Sequence, residues 1–343
     1  MRWTGEPRFA DPDAALVAAA AGWRAAVDPD RLRQVVESLP APRSRLHAPE
    51  AMAATDELIL AAWRGSGWSV DRQELRLQNV AGSLDTAATY VPHVYERLEG
   101  VNLVAELPGE TREAIVVVAH HDTVRGSPGA DDNGAGVAAI LELARLFAGR
   151  RLRHTLVLAA PDFEELGIIG SRSLVPWLQE RYQVLGAIVF DVVAYVDSAA
   201  NSQRVPPGVS TLYPGQTRRL RERATAGDTV MAIYRDSSTS LVGEWGRCLA
   251  ATIGRERILL LRDPVDLPLL GRIAARVPAA RNFSRSDHVN FWRAGLPAIH
   301  VTDTGPFRNP NYHLPSDTPD TLDYATLADI VATTALVIER LAD

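Results

Sequence analysis

The sequence predicts an α/β fold of three layers, α/β/α, with a central mixed, mostly parallel sheet. Two observations predict it. From about residue 100 onward, short β-branched runs alternate with long stretches of helical apolar spacing. Those short runs are apolar without interruption, as strands covered on both faces must be. The length of 343 residues, 46% hydrophobic and 23% charged, is enough to bury a substantial core.

The elements follow in order. Asp11 to Val27 and Pro29 to Leu39 carry apolar residues at helical spacing, with Asp11 or Asp28 able to cap. A proline-bearing loop, Leu39 to Pro49, precedes a helix from Pro49 to Arg64. Gln73 to Gln78 alternates polar and apolar positions, as a half-buried strand does. Strands are then predicted at Val101 to Leu107 and Ala114 to Ala119, and a helix from about Asn133 to Phe147. Next come the strand Thr155 to Ala160, a helix from about Gly170 to Tyr182, and the strand Ala187 to Asp191. Asp197 to Gly215 is rich in Ser, Pro and Gly and reads as a loop. Val230 to Tyr234, Ile258 to Leu261 and Ala298 to Val301 read as strands. Ser240 to Thr252 reads as a helix and Thr321 to Leu341 as a closing one. There is no internal repeat and no low-complexity tract.

Composition excludes several functions. The 36 basic and 42 acidic residues give a net charge of −6, and no block of like charge appears. A nucleic-acid footprint and a polybasic membrane anchor are therefore not expected. All 36 basic residues are arginine, which with the alanine runs reflects coding bias more than function. The single cysteine, Cys248, excludes an internal disulfide and a thiolate-rich metal site. The opening MRWTGEPRF lacks the basic start and apolar stretch of a secretory signal. The apolar run Ala14 to Trp23 is too short to span a bilayer. The expected location is cytoplasmic, with a mature form trimmed of its leader as the alternative.

The densest polar clusters fall just beyond predicted strands, where open α/β sheets bind ligands. His120-His121-Asp122-Thr123 and Gly129-Ala130-Asp131-Asp132-Asn133-Gly134 follow one strand. Asp162-Phe163-Glu164-Glu165 and Gly167 follow another, Asp191 ends a third, and Asn311-Tyr312-His313 follows the strand near Val301. Any one cluster could be a helix cap, a charged face or a solvated loop. Taken jointly, two imidazoles and three carboxylates without thiolate suit two zinc ions better than one. The Glu164–Glu165 pair leaves one carboxylate spare as a base. Adjacent residues of an extended segment point in opposite directions, so a sharp turn near Gly167 is required to bring both to one site.

These residues resemble the co-catalytic dizinc aminopeptidases, a family that includes glutamate carboxypeptidases and has glutaminyl cyclases and the transferrin receptor as relatives. The matching strings are Ala119-His120-His121-Asp122-Thr123, Pro128 to Gly136, Glu164-Glu165-Leu166-Gly167-Ile168-Ile169-Gly170-Ser171, Phe190-Asp191, Ser286-Asp287-His288-Val289-Asn290-Phe291, and Tyr312-His313-Leu314-Pro315-Ser316-Asp317-Thr318. Their order and spacing fit from about residue 100 to the end.

The resemblance implies one zinc-peptidase domain over 1–343, of the phosphorylase/hydrolase-like kind, with a helical segment over about 1–66 and an excursion or lid over about 197–215. It implies that His120 and Asp191 hold one zinc, Glu165 and His313 the other, and Asp131 bridges them. Glu164 would be the general base on a water shared by the ions. Tyr312 would stabilise the oxyanion, Asp122 would orient His120, and the Asp131–Asp132 bond would be cis. His121 would be a neighbour, not a ligand, and Asp287 and His288 either line the site or are structural. Phe163, Val192 and Ala194 depart from the family pattern, which bears on pocket shape and removes no ligand.

The activity implied is removal of an N-terminal residue from a peptide. The alternatives are an amide hydrolase, deacylase or carboxypeptidase acting on a small peptide-like metabolite, then a glutaminyl cyclase, then an inactive binding module. The substrate is expected to be a peptide or small amide, with neither nucleic acid nor membrane as partner. Pocket walls are expected in the loops around Ser83 to Glu99 and Ser198 to Gly215. There, Tyr90, Tyr95, Tyr213 and Arg204 either form a lid or are surface and packing residues.

Overall fold

The computed structural model of the protein describes residues 6–7, 9–86, 91–268 and 271–342. Three helices come first: α1 (Ala14–Ala26), α2 (Pro29–Ser38) and α3 (Pro49–Gly65). Asp13, not Asp11, caps α1 by accepting from the Leu16 amide at 2.8 Å. Asp28 caps α2 ahead of Pro29, accepting from the Asp30 amide at 3.0 Å.

The strands are β1 (Ser69–Ser83), β2 (Pro92–Leu107), β3 (Thr111–Val118), β4 (His154–Ala160), β5 (Gln183–Phe190), β6 (Val230–Tyr234), β7 (Ile258–Arg262) and β8 (Ala298–Thr302). Between and after them run α4 (Gly136–Leu146), α5 (Ile169–Arg181), α6 (Val209–Leu212), α7 (Pro214–Glu222), α8 (Thr239–Ile253), α9 (Gly271–Ala274), α10 (His288–Arg293) and α11 (Tyr324–Ala342). All eight strands form one sheet in the order β1-β2-β4-β3-β5-β8-β6-β7. The pairs β3–β4, β3–β5, β5–β8 and β6–β7 are parallel, whereas β1–β2, β2–β4 and β6–β8 are antiparallel. The sheet is thus mixed, with its parallel strands central.

Strand alternation explains the uninterrupted apolar runs. Ile115, Val117, Leu156, Leu158, Ile188 and Phe190 pack into a core shared with α1, α2, α3, α4, α8 and α11. Val116, Val118, Val157, Ala159 and Val189 face the other way, onto Leu174, Val175 and Leu178 of α5 and Phe291 and Trp292 of α10. Both faces are therefore dry.

The hairpin of β1 and β2 is much longer than the short strand at Gln73 to Gln78 that alternation indicates. Its outer half is mostly exposed, so apolar patterning there is weak. Most of the described residues from Ser83 to Glu99 are therefore strand, not loop. Tyr95 lies within it and donates its hydroxyl hydrogen bond to the Ser83 carbonyl at 2.7 Å; Tyr90 falls outside the described residues. Tyr213 is fully buried, stacked on Phe283, and is no part of a lid. The stretch from Asp197 to Gly215 includes α6 and the start of α7. No helix among the described residues is long and apolar enough to cross a membrane.

Gly170 opens α5 against the turn that follows β4. A methyl group there would collide with the Asp162 backbone oxygen. Gly170→Ala is expected to destabilise the fold by about 2 kcal/mol, the scale of overpacking. A lowered urea midpoint with unchanged m-value would show it, and an unshifted midpoint would contradict the packing.

Candidate active site

The polar clusters converge beyond the carboxyl ends of β3, β4 and β5. His120 and Asp122 leave β3, Glu164 and Glu165 leave β4, and Asp191 is the first residue after β5. Tyr312 and His313 arrive from the long loop after β8.

The turn required for the paired glutamates is present. Glu164 accepts at its carbonyl from the amides of Gly167 at 2.8 Å and Ile168 at 2.7 Å. Gly167 has φ 111°, where a Cβ is disfavoured. The Asp122 carboxylate holds this turn from below, accepting from the Glu164 amide at 3.1 Å and the Glu165 amide at 3.2 Å. Phe163, Val192 and His313 adopt left-handed backbone with φ of 55°, 50° and 62°. Such strain at non-glycine residues gathers around functional sites. Two of these three, Phe163 and Val192, are among the three positions that depart from the family pattern.

Two groups of donors result: His120 with Asp132 and Asp191, and Glu165 with Asp132 and His313. His120 Nε2 lies 3.3 Å from Asp132 Oδ1 and 3.6 Å from Asp191 Oδ1. His313 Nε2 lies 3.1 Å from Asp132 Oδ2 and 3.4 Å from Glu165 Oε2. The carboxylate common to both groups is therefore Asp132.

This corrects the expectation for Asp131. Its carboxylate points away, accepting from the Ala194 amide at 3.0 Å and from Asn309 Nδ2 at 2.8 Å. The cause is local backbone geometry. Gly129 has φ 63°, and Asp317 accepts from the amides of Asp131 at 3.0 Å and Asp132 at 3.2 Å, so the two aspartate side chains diverge. The cis peptide also lies one bond later than expected, between Asp132 and Asn133.

The donor set fits a pair of dications. Ligands about 2.0–2.2 Å from a tetrahedral zinc stand roughly 3.3–3.6 Å apart, close to the 3.1–3.6 Å separations here. His120 Nε2, His313 Nε2 and Glu165 Oε1 are buried without any hydrogen bond. His120 Nδ1 sits 3.2 Å from the Asp122 carbonyl oxygen, which places the ring proton there and leaves the Nε2 lone pair facing two carboxylates. A cation between donors crowded together in this way would satisfy all of them.

The electrostatics say the same. Burial opposes charge on His313, yet the carboxylates of Glu165 and Asp132 override it and hold its pKa at about 11. Burial also pushes Asp132 up, but the imidazoles of His120 and His313 win and hold it well below the usual range. Glu165 is pushed up to about 7 by burial and then by Asp132. Burial first, then Asp191 and Glu165, push Glu164 well up against the pull of His120. The cluster calls for more positive charge than its own side chains carry.

Asp122 differs in detail from its expected role. His120 Nδ1 meets its main-chain oxygen, while the carboxylate Oδ1 is 3.5 Å from that nitrogen and serves the Glu164–Glu165 amides. His121 stands outside both groups, with Nε2 3.1 Å from Asp56 Oδ1 and Nδ1 2.9 Å from the Pro161 carbonyl. His288 packs between His300 and Trp292 and meets the Phe283 carbonyl, a structural position. Asp287 is buried beside the site and pushed up to about 7 by burial. Tyr312 stacks on His313 with centroids 3.9 Å apart and accepts from Arg285 Nη2 at 3.3 Å. Burial raises its pKa well above the usual tyrosine value, so the hydroxyl keeps its proton.

Peptidase family M28 matches the sequence over residues 102–235 and 268–338, more than half of the chain. The uncharacterized protein YfbL of Escherichia coli K12 is 30% identical over 244 residues, 67% of this chain and 68% of that protein. The chain belongs to peptidase family M28. Leucine aminopeptidase 1 of Aspergillus oryzae is 29% identical over 142 residues, 36% of this chain and 37% of that one. Among solved structures, a zinc aminopeptidase from Bacillus subtilis matches with TM-score 0.66 and 15% identity, covering 92% of this chain and 95% of that one. A glutaminyl cyclase from Fimbriiglobus ruber matches with TM-score 0.60 and 21% identity, covering 91% and 95%. Those two share the fold; the family makes this chain a metallopeptidase.

Several residues that build the site were not singled out by sequence. Asp132 sat beside the expected ligand, and Asp317 lay inside a quoted string without a role. Arg43 comes from the helical N-terminal region. It is buried and donates to the carbonyls of His121 at 3.0 Å, Pro128 at 3.0 Å and Gly129 at 2.8 Å, lacing that region to the two loops that carry the donors. An arginine between two prolines' neighbourhoods carries no sequence signal for such a task.

Proposed function

We propose that the protein is a dizinc aminopeptidase that releases an N-terminal residue from a peptide or small amide. The observation that carries this reading is the pair of complete donor triads sharing Asp132, with Glu164 beside them. His120, Asp132 and Asp191 would hold one ion, and Asp132, Glu165 and His313 the other. When bound there, the ions supply a water activated near neutral pH and polarise the scissile carbonyl. Glu164, buried and raised in pKa, takes the proton of the attacking water and hands it to the leaving amine. Tyr312, kept protonated, donates to the oxygen that gains charge. Asp122 fixes the turn that aims both glutamates.

The fold is shared with a glutaminyl cyclase, so fold does not decide between the two. The aminopeptidase reading is favoured by two full ligand sets, by the family and by the names of the Aspergillus and Bacillus relatives. Beside the donors opens a cavity of about 120 Å³, walled by Val209, Met231, Ile233, Leu261, Phe283 and Phe307. An apolar protein cavity of ~150 Å³ holds benzene, so this smaller one suits a branched aliphatic side chain next to the scissile bond.

Metal analysis with a substrate panel tests the proposal. Two zinc ions per chain are expected, with cleavage of leucyl amides bearing a free amine. Activity should vanish on chelation and return with zinc. Equal cleavage of N-blocked substrates would replace the exopeptidase reading with amide hydrolysis, and N-terminal cyclisation with a cyclase.

A further inference from the structure

The cavity and the donor site meet at Arg285. Its guanidinium lines the cavity together with Asp191, His300 and Tyr312, and its Nη2 donates to Tyr312 Oη at 3.3 Å. Arg285 is exposed, and among the described residues it makes no ion pair, although Asp191, Glu164 and Asp132 are near enough to act on it. Those three carboxylates belong to the donor site and are not spare counter-ions. A cation at the mouth of an apolar cavity, without an anion of its own, is a receptor for one.

The surrounding charge agrees. Residues 198–221, which supply one wall of the cavity, contain Arg204, Arg218, Arg219 and Arg221 and no acidic residue. Residues 267–286, which supply another, contain Arg272, Arg276, Arg281 and Arg285 and again no acidic residue. This segregation occurs in a chain whose net charge is −6. Arg218 pairs with Glu222 and Arg219 with Glu6, which leaves Arg204 and Arg285 as the arginines that line the cavity, and these two draw anions to it.

We infer that Arg285 anchors a free carboxylate of the substrate, so that the preferred substrates are short ones with an apolar side chain and a carboxylate within one residue of the scissile bond. Dipeptides are the simplest of that class. The inference rests on the peptidase reading and narrows it. Tyr312 addresses the scissile oxygen and Arg285 touches Tyr312, so the anion it reads lies one residue away. A planar fork suits a carboxylate in two-pronged contact, which a lysine ammonium reproduces only in part.

The test compares Leu-Phe with its C-terminal carboxamide on zinc-loaded wild type, Arg285→Ala and Arg285→Lys. The dipeptide should be favoured by about 30- to 100-fold in kcat/KM, the scale of one charge-assisted contact, and mostly through KM. Arg285→Ala should erase that preference by slowing the dipeptide alone, and Arg285→Lys should restore part of it. Calorimetric binding of both ligands to the wild type and to Arg285→Ala reports on the same contact without turnover. Equal loss on acid and amide, expressed in kcat, would overturn the inference and assign Arg285 to the oxyanion. A preference that survives in Arg285→Ala would also overturn it. If neither compound is cleaved, the peptidase reading falls, and the binding comparison still decides whether Arg285 reads the carboxylate.

Discussion

Glu164→Gln is expected to lower turnover by about 10²- to 10⁴-fold, the contribution of a positioned acid–base group, while metal content stays at the wild-type value. The side chain belongs to neither donor triad. Glutamine matches its volume and leaves undisturbed the backbone amides that bind Asp122. What it removes is the ability to take a proton and give it back. Burial and the neighbouring Asp191 and Glu165 raise the affinity of Glu164 for that proton, which suits a group that must hold it between the two halves of the reaction. Turnover of a standard aminoacyl amide, measured alongside metal analysis of the same sample, checks both halves of the expectation. Retained turnover would strip Glu164 of its role, and lost metal would make it a ligand.

The second large effect separates two adjacent aspartates. Asp132→Asn should lower metal affinity by about 10²-fold or more and leave activity near background. Its two oxygens serve different triads, Oδ1 toward His120 and Oδ2 toward His313. An amide turns one of these into N–H donors aimed where a cation must sit. Asp131→Asn should behave quite differently. It keeps the site's donors and perturbs contacts to Ala194, Asn309 and Asp303, so zinc stoichiometry should persist and activity fall by no more than about 10- to 100-fold. Metal analysis after dialysis of the two variants decides the matter, and the reversed pattern would reinstate Asp131 as the shared ligand.

The two aspartates also show where sequence reading stops. Residue type and order identified an acidic pair after β3, and nothing in a linear string says which member turns inward. That was settled by the left-handed Gly129 and by Asp317, which grips both amides from 185 and 186 positions away. Local spacing succeeded where a short-range rule applied. Gly167 next to the paired glutamates signalled a turn, and the turn exists. It failed where the contact was long-range: Arg43 crosses 78 to 86 positions to tie down both donor loops. The long helices and buried strands were legible because their apolar period is strong, whereas the shorter α7 and α10 were not read. The outer half of the β1–β2 hairpin was not, because it lies mostly exposed and burial imposes little pattern.

The sequence by itself determined the kind of chemistry and the place of its parts: nitrogen and oxygen donors without thiolate, set at the ends of parallel strands in a sheet covered on both faces. Composition and periodicity suffice for this because they follow from side-chain type and local geometry. Only the tertiary structure decided which carboxylate is shared, what holds the loops that carry the donors, and that an arginine without an anion of its own stands at the mouth of an apolar cavity. Those facts depend on directions in space between segments far apart in the chain, and direction is a property that residue order does not encode locally.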